Sequence, residues 1–378
     1  MADKPGARLV LPPFREDDFH RLIGGESRGL GASAARLGLG AASVVYRAGV
    51  AARNFVFDHE WRTIHRSTVP VVSVGNLTLG GTGKTPTVEW VARWYRERGI
   101  RVALLSRGYG RDGAVNDEAL VLEENLPDVP HLQDPDRVRI ASVAVEELDS
   151  QILVLDDGFQ HRRLARDLDI VLIDALDPFG FDRLFPRGRL REPVSSLRRA
   201  GLVLISRADQ VDGSTLLAIR NRAERATRGP IRWVQTRHAP LALIGGPDGP
   251  EPVGSLGERA VAAFCGIGNP DAFRKTVERL KPRSLTLRSF PDHHLYSAAD
   301  VADLANWARG LGADLLLTTQ KDLVKLRAES LAAVPLRALK IGLEVMEGGP
   351  ALDDALERLL PAARSVSNRF GATNPEMI

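Results

Sequence analysis

Cysteine is almost absent. Cys265 stands alone in 378 residues, so no disulfide framework can form within the chain and a reducing compartment fits. No uninterrupted apolar run reaches the roughly 18 residues that a spanning helix needs. The first residues, with Asp3 and Pro5 and no apolar core directly after them, do not read as a secretory signal. There is no internal repeat and no low-complexity tract. Neither sign of charge dominates. The formal net charge is +3, too weak by itself to argue for nucleic acid, and no nucleic-acid partner is expected. It suits anionic lipid or a phosphorylated substrate equally well. Ligand-spaced histidine and cysteine clusters are also lacking. Asp292-His293-His294 has no second cluster to complete a zinc site, so a histidine held by a carboxylate, doing acid–base or orienting work, is the better reading.

What is present is an ordinary soluble composition, 44% hydrophobic and 26% charged, in a chain long enough that two domains are the default. The strongest signal is Val71-Val72-Ser73-Val74-Gly75-Asn76-Leu77-Thr78-Leu79-Gly80-Gly81-Thr82-Gly83-Lys84-Thr85. A short β-branched run after Pro70 suits a buried strand, and Val88, Val91, Ala92 and Tyr95 then recur at helical spacing until Gly99. A glycine-rich loop between strand and helix is a phosphate cradle. Its N–H groups approach phosphate without a Cβ in the way, and the helix adds its positive end. Thr78, Leu79, Gly80, Gly81, Thr82, Gly83, Lys84 and Thr85 are the expected nucleotide contacts. Lys84 can reach the β- and γ-phosphates, and the Thr85 hydroxyl can ligate Mg²⁺.

From about residue 69 to 235, strand-like runs alternate with helical ones, which predicts a parallel α/β sheet covered on both faces. The runs are Val71–Val74, Val102–Leu105, Ile152–Leu155, Ile170–Ile173 and Leu202–Ile205. Ligands bind beyond the carboxyl ends of such strands. There lie Ser106-Arg107-Gly108-Tyr109, suited to a phosphorylated or sugar-like ligand, and Asp156-Asp157-Gly158, where a carboxylate can hold Mg²⁺. Asp134 and Asp136 precede a helical stretch, Val138–Leu148. They read as caps, and a carboxylate there could also serve as a general base. Arg187, Arg189 and Arg191 lie in a proline-framed loop that could stabilise phosphoryl charge. Arg207 and Asp209 have the spacing of a nucleobase reader, against an ordinary strand end. Prolines and glycines over 238–258 mark a linker or hairpin, and a second α/β unit follows.

Residues 30–55 carry an apolar stripe at helical spacing: Leu30, Ala34, Leu37, Ala41, Val44, Ala48 and Ala52. Such a stripe is most often packed on the protein's own core, and a basic amphipathic helix can also lie in a membrane interface. The expected division is an N-terminal amphipathic segment (1–68), a P-loop core (69–237), a smaller C-terminal α/β domain (238–364) and a disordered tail (365–378).

Together the motifs resemble the tetraacyldisaccharide 4′-kinase family of lipid A biosynthesis. The resemblance rests on the loop from Gly75 to Pro86, Ser106-Arg107-Gly108-Tyr109, Asp156-Asp157-Gly158-Phe159-Gln160-His161, Leu190-Arg191-Glu192-Pro193, Gly266-Ile267-Gly268-Asn269-Pro270, Phe290-Pro291-Asp292-His293 and Lys321-Asp322. It implies transfer of the γ-phosphoryl of ATP, with Mg²⁺, to the 4′-hydroxyl of a tetraacylated disaccharide 1-phosphate, by a monomer at the cytoplasmic face of a bacterial inner membrane. It further implies Asp136 as catalytic base, Asp157 and His293 as a supporting dyad across the cleft, and Arg191 on the γ-phosphate. Thr85, Asp156 and Glu192 are implied near the metal, and Arg107 and Tyr109 on the substrate. The alternative is a P-loop ATPase or GTPase switch without a lipid acceptor.

Overall fold

The computed structural model describes residues 16–108, 117–326, 328–331 and 333–370. Tyr109 lies outside them. The chain begins with helices α1 (Glu16–Gly24) and α2 (Leu30–Asp58). It continues through β1 (Val71–Asn76), α3 (Lys84–Arg96), β2 (Val102–Ser106), α4 (Asp117–Asn125), β3 (His131–Gln133), α5 (Arg137–Glu146), β4 (Ile152–Asp156), β5 (Leu168–Asp174), β6 (Leu202–Ser206), α6 (Gly213–Thr227) and β7 (Trp233–Ile244). The second half carries β8 (Ala260–Cys265), α7 (Pro270–Arg279), β9 (Ser284–Ser289), α8 (Ala298–Gly310), β10 (Leu315–Thr319), α9 (Gln320–Leu326), β11 (Ser330–Leu331), β12 (Val334–Glu347), α10 (Gly349–Glu357) and α11 (Leu360–Phe370).

The strands form one sheet in the order β3-β2-β4-β1-β5-β6-β7-β12-β10-β8-β9, with β11 pairing β12 off this path. Along the path every pairing is parallel except β7 with β12. The α/β fold expected from the strand–helix alternation is therefore what the chain adopts. β1, β4 and β5 are buried along their whole length, as strands covered on both faces must be. Alternate residues serve opposite layers. Val72 and Val74 of β1 pack with Val88, Val91, Ala92 and Tyr95 of α3. Val71 packs with Ile140, Ala141 and Ala144 of α5. Burial of each such aliphatic side chain contributes roughly 1.5–3 kcal/mol.

The two halves share this sheet through the antiparallel pair β7–β12, and the boundary expected at 237/238 falls inside β7. Pro240 did not end the strand because it sits at an irregularity in the β7–β12 register, between Lys340 and Ile341, where a proline costs least. After β12 the chain returns to the first half. Trp94 donates to Asp353 at 2.8 Å and Tyr95 to the Leu356 carbonyl at 3.0 Å. α11 runs to Phe370, across the start expected for a disordered tail, and residues 371–378 lie outside the described ones.

The apolar stripe of α2 does not face a core. Leu30 is 92% exposed, Leu37 78%, Val44 68% and Val45 75%. Polar residues dock the helix instead: Ser43 donates to the Leu184 carbonyl at 2.8 Å, Tyr46 to the Arg191 carbonyl at 3.0 Å, and Asn54 to Glu192 at 3.3 Å.

Candidate active site

The phosphate-type loop is braced from every side. Asn76, the last residue of β1, donates to the Thr78 carbonyl at 2.8 Å and to the Thr82 hydroxyl at 3.0 Å. From β6, Ser206 donates to the Thr82 carbonyl at 2.8 Å. Arg207 donates to the Gly81 carbonyl at 2.9 Å and pairs with Asp174. The Leu79 amide bonds the Arg189 carbonyl at 2.8 Å, and the Arg191 amide bonds Leu77 at 2.7 Å. Gly83, just before α3, has φ +90° and lies so close to His238 that a Cβ would meet its ring nitrogen at 2.5 Å; only glycine fits there. The base-reader expectation for Arg207 and Asp209 is not met. Arg207 is consumed in holding the loop, and Asp209 pairs with Arg279 at 2.5 Å.

β4 runs beside β1 with Asp156 in register with Val74, which sets the two aspartates at the mouth of the loop. Asp157 has φ +52°, so the chain turns sharply between them and the side chains diverge. Asp157 takes two bonds from one Arg191 nitrogen, at 2.7 and 2.9 Å, and lies 3.7 Å from Lys84. Burial opposes its ionisation, but Lys84 and Arg191 outweigh burial and hold it below the usual carboxylate range. Asp156 goes the other way. Burial, with the nearby negative charges of Glu118 and Asp157 against Lys84 and Lys321, pushes it to about 7. Its Oδ1 is buried with no hydrogen-bond partner among the described residues. A buried carboxylate oxygen left without a bond at the end of β4 and the buried Thr85 hydroxyl at the start of α3 are hard oxygen donors of the kind a divalent cation takes, so these residues fit Mg²⁺. Glu192 is engaged elsewhere. Its carboxylate accepts Arg199 at 2.7 Å and Asn54 of α2 at 3.3 Å.

His293 comes from the second half, in the left-handed region at φ +57°. Its amide bonds the Gly266 carbonyl at 3.1 Å, and its Nδ1 meets both oxygens of Asp117 at 3.1 Å. The expected Asp157–His293 dyad is thus not the pairing seen: Asp157 is taken by Lys84 and Arg191, and His293 by Asp117. The Asp117 bond raises the His293 pKa, against burial. Asp117 itself stays below the usual range because His293, Lys321 and Lys325 together overcome its burial. Its neighbour Glu118 pairs with Lys321 at 2.5 Å and also interacts with Lys84 and Asp156, which ties the histidine pair to the phosphate loop. Asp117 was missed from sequence. A lone acidic pair opening a short helix looks like dipole complementation, and its partner lies 176 residues away.

The other expected residues divide. Arg191 is at the site. Asp136 is the N-cap of α5, accepting the Val138 amide at 3.2 Å, with Arg163 3.5 Å away. Arg107 is exposed beyond the end of β2. In the Gly-Phe-Gln-His run, Phe159 is fully buried and Gln160 donates to the Asn76 carbonyl at 2.9 Å. Burial and Arg137 press the His161 imidazole down to about 4.

The model of one protein family, LpxK (tetraacyldisaccharide-1-P 4′-kinase), matches residues 35–361. A tetraacyldisaccharide 4′-kinase of Anaeromyxobacter sp. (strain K) is 42% identical over 345 residues, covering 85% of this chain and 90% of that one. The protein of the same name from Anaeromyxobacter dehalogenans (strain 2CP-C) is 42% identical over 336 residues, covering 83% and 88%. Among solved structures, LpxK from Aquifex aeolicus in complex with ATP aligns with a TM-score of 0.66 at 29% identity, over 86% of this chain and 99% of that one.

Proposed function

The chain belongs to the tetraacyldisaccharide-1-P 4′-kinase family and is an ATP-dependent lipid A 4′-kinase, and we propose which of its residues carry the transfer. The loop from Thr78 to Thr85 holds the ATP phosphates, with Lys84 moving from Asp157 onto the β- and γ-phosphates. Thr85 and Asp156 hold Mg²⁺, which when bound supplies positive charge against the phosphate oxygens. Arg191, placed by its amide bond to Leu77, reaches the transferring group, and Asp157 orients both Lys84 and Arg191. Glu192 ties α2 to the core and is not assigned to the metal.

His293 takes the proton. Its Nδ1 is committed to Asp117, its Nε2 lies 3.8 Å from Asp292 Oδ2, beyond hydrogen-bond length, and the side chain is 61% exposed. Nε2 accepts the proton of the 4′-hydroxyl as that oxygen bonds the γ-phosphorus, and the bond to the ADP oxygen breaks. Asp117 stabilises the imidazolium formed. Asp136 keeps its task as a helix cap. The observation that carries this reading is the His293–Asp117 pair, built from both halves of the chain and joined through Glu118 to Lys84 and Asp156. A nucleotide switch without an acceptor would leave that pair without a task.

The acceptor is a tetraacylated disaccharide phosphate whose chains stay in the bilayer. The exposed apolar face of α2 supports docking at the membrane surface. The helix is about 44 Å long at 1.5 Å per residue, and it lies in the interface while Ser43, Tyr46 and Asn54 grip the protein. No helix among the described residues is long and apolar enough to cross a membrane. A peripheral monomer on the cytoplasmic leaflet fits, with Arg107 and Tyr109 as candidate contacts to the headgroup. The test is transfer of label from γ-labelled ATP into tetraacyldisaccharide 1-phosphate in detergent with Mg²⁺. Label in the lipid, lost in Lys84→Ala and reduced about 10²-fold or more in Arg191→Ala, supports the assignment. Unchanged transfer in either variant contradicts it.

A further inference from the structure

Lys325 is a buried lysine on α9 that the transfer reaction as described does not use. Its side chain is 5% exposed, with Nζ 3.0 Å from Asp322 and 3.7 Å from Asp117, and the side chains of those two acids are 0% and 3% exposed. Asp322 has further work: its Oδ2 accepts the Gly266 amide at 3.1 Å and the Thr319 hydroxyl at 2.7 Å. The Gly266 carbonyl in turn accepts the amide of His293, and the His293 ring reaches Asp117. The contacts therefore close on themselves, from Lys325 to Asp322, Gly266, His293, Asp117 and back to Lys325.

We propose that Lys325 is a positioning residue for the proton-accepting pair: its ammonium closes this ring and holds His293 in its left-handed backbone conformation against Asp117. The proposal rests on the reading of His293 and Asp117 given above. One helical turn earlier, Lys321 pairs with Glu118. The second half thus sets two lysines, four residues apart, against two adjacent acids that open α4 in the first half. A left-handed non-glycine residue persists only where its surroundings over-determine it, and the ring supplies that restraint at both the His293 backbone and its side chain. Two buried carboxylates around one ammonium also mean that removing the ammonium leaves uncompensated negative charge.

The groups facing His293 are Asp117, Asp292 and Lys321. Those facing Asp117 are His293, Lys321, Lys325 and its neighbour Glu118. Loss of the Lys325 charge therefore leaves the pair more negative, and a proton is held more tightly there. The experiment is the single-turnover transfer rate of the full-length enzyme against pH, for wild type and Lys325→Met, in detergent with saturating Mg²⁺-ATP. The acidic limb, where His293 must lose its proton to act, is expected to move upward by about one pH unit or more. The rate at neutral pH falls accordingly and recovers toward the alkaline plateau, and the KM for ATP is unchanged. A rate depressed equally at all pH values, with the midpoint unmoved, would reduce Lys325 to a packing role and overturn the proposal.

Should Lys325→Met fail to fold, Lys325→Met/Asp322→Asn removes the lone buried charge while keeping an acceptor for the Gly266 amide. An upward shift is expected from it too, smaller because a buried negative charge leaves together with the ammonium at 3.7 Å from Asp117, and an unmoved midpoint overturns the proposal equally. Failure of the underlying reading shows separately: His293→Ala transferring label at the wild-type rate removes the proton-accepting pair itself, whatever Lys325→Met does.

Discussion

Replacing Asp156 by asparagine should stabilise the metal-free protein while destroying its response to Mg²⁺. The Asp156 carboxyl is buried, bonds nothing through Oδ1 among the described residues, and is pushed up to about 7 from the ordinary 3.8 by burial first of all. The sign follows from linkage. The unfolded chain releases this proton near 3.8 and the folded chain only near 7, so the group's contribution to stability is full below the first value and is lost as pH rises to the second. About three pH units at about 1.36 kcal/mol each make the loss on the order of 4 kcal/mol by pH 8. Asparagine has the same shape and no charge to desolvate. Thermal melts in EDTA should therefore show Asp156→Asn close to wild type at pH 4 and several degrees higher at pH 8. Adding Mg²⁺-ATP at pH 8 should raise the wild-type melting temperature much more than that of the variant. A metal-free Asp156→Asn protein less stable than wild type at pH 8 would refute the reasoning, because it would mean the ionised carboxylate is already satisfied inside the protein.

Three further outcomes are expected. Wild-type kcat/KM for the acceptor should rise with pH through an ionisation above the ordinary histidine value of 6.5, because the bond to Asp117 raises His293; a limb below 6.5 would contradict that pairing. Leu37→Glu/Val44→Glu should abolish binding to anionic vesicles in a sedimentation assay and leave transfer to detergent-dispersed acceptor close to wild type, since both side chains face outward. Asp136→Ala should lower stability by about 1 kcal/mol through loss of the α5 cap, visible in urea unfolding.

The parts of the molecule set by local chemistry could be read from the sequence. β1, its glycine loop and α3 follow one another without any long-range help, and Val88, Val91, Ala92 and Tyr95 are fully buried as their spacing predicts. Runs such as Ile152–Leu155 and Leu202–Ile205 become interior strands because continuous β-branched and leucine stretches suit only a strand covered on both faces. The seam between the halves was hidden. β7 carries Pro240 and is followed by Gly245-Gly246, and its pairing with β12 joins residues about a hundred positions apart. The orientation of α2 was hidden too, since periodicity identifies an apolar face but not what covers it; the docking bonds of Ser43, Tyr46 and Asn54 decide it. Asp117 shows the same limit at the site. His293 was recognisable from Asp292-His293, but the carboxylate that holds it is chosen by how α4 and α9 meet, through Lys321–Glu118 and Lys325–Asp117. Asp136, in a similar setting at the start of a helix, looks equally suitable in one dimension and is a cap in three.

That contrast also gives the most direct test of the account. Single-turnover transfer from γ-labelled ATP to tetraacyldisaccharide 1-phosphate should be measured for Asp117→Asn and Asp136→Asn side by side, at saturating Mg²⁺-ATP. Asp117→Asn is expected to lose about 10²-fold or more in rate with ATP binding intact, and Asp136→Asn to stay near wild type. Full activity in Asp117→Asn with a large loss in Asp136→Asn would contradict the assignment and return the proton to Asp136.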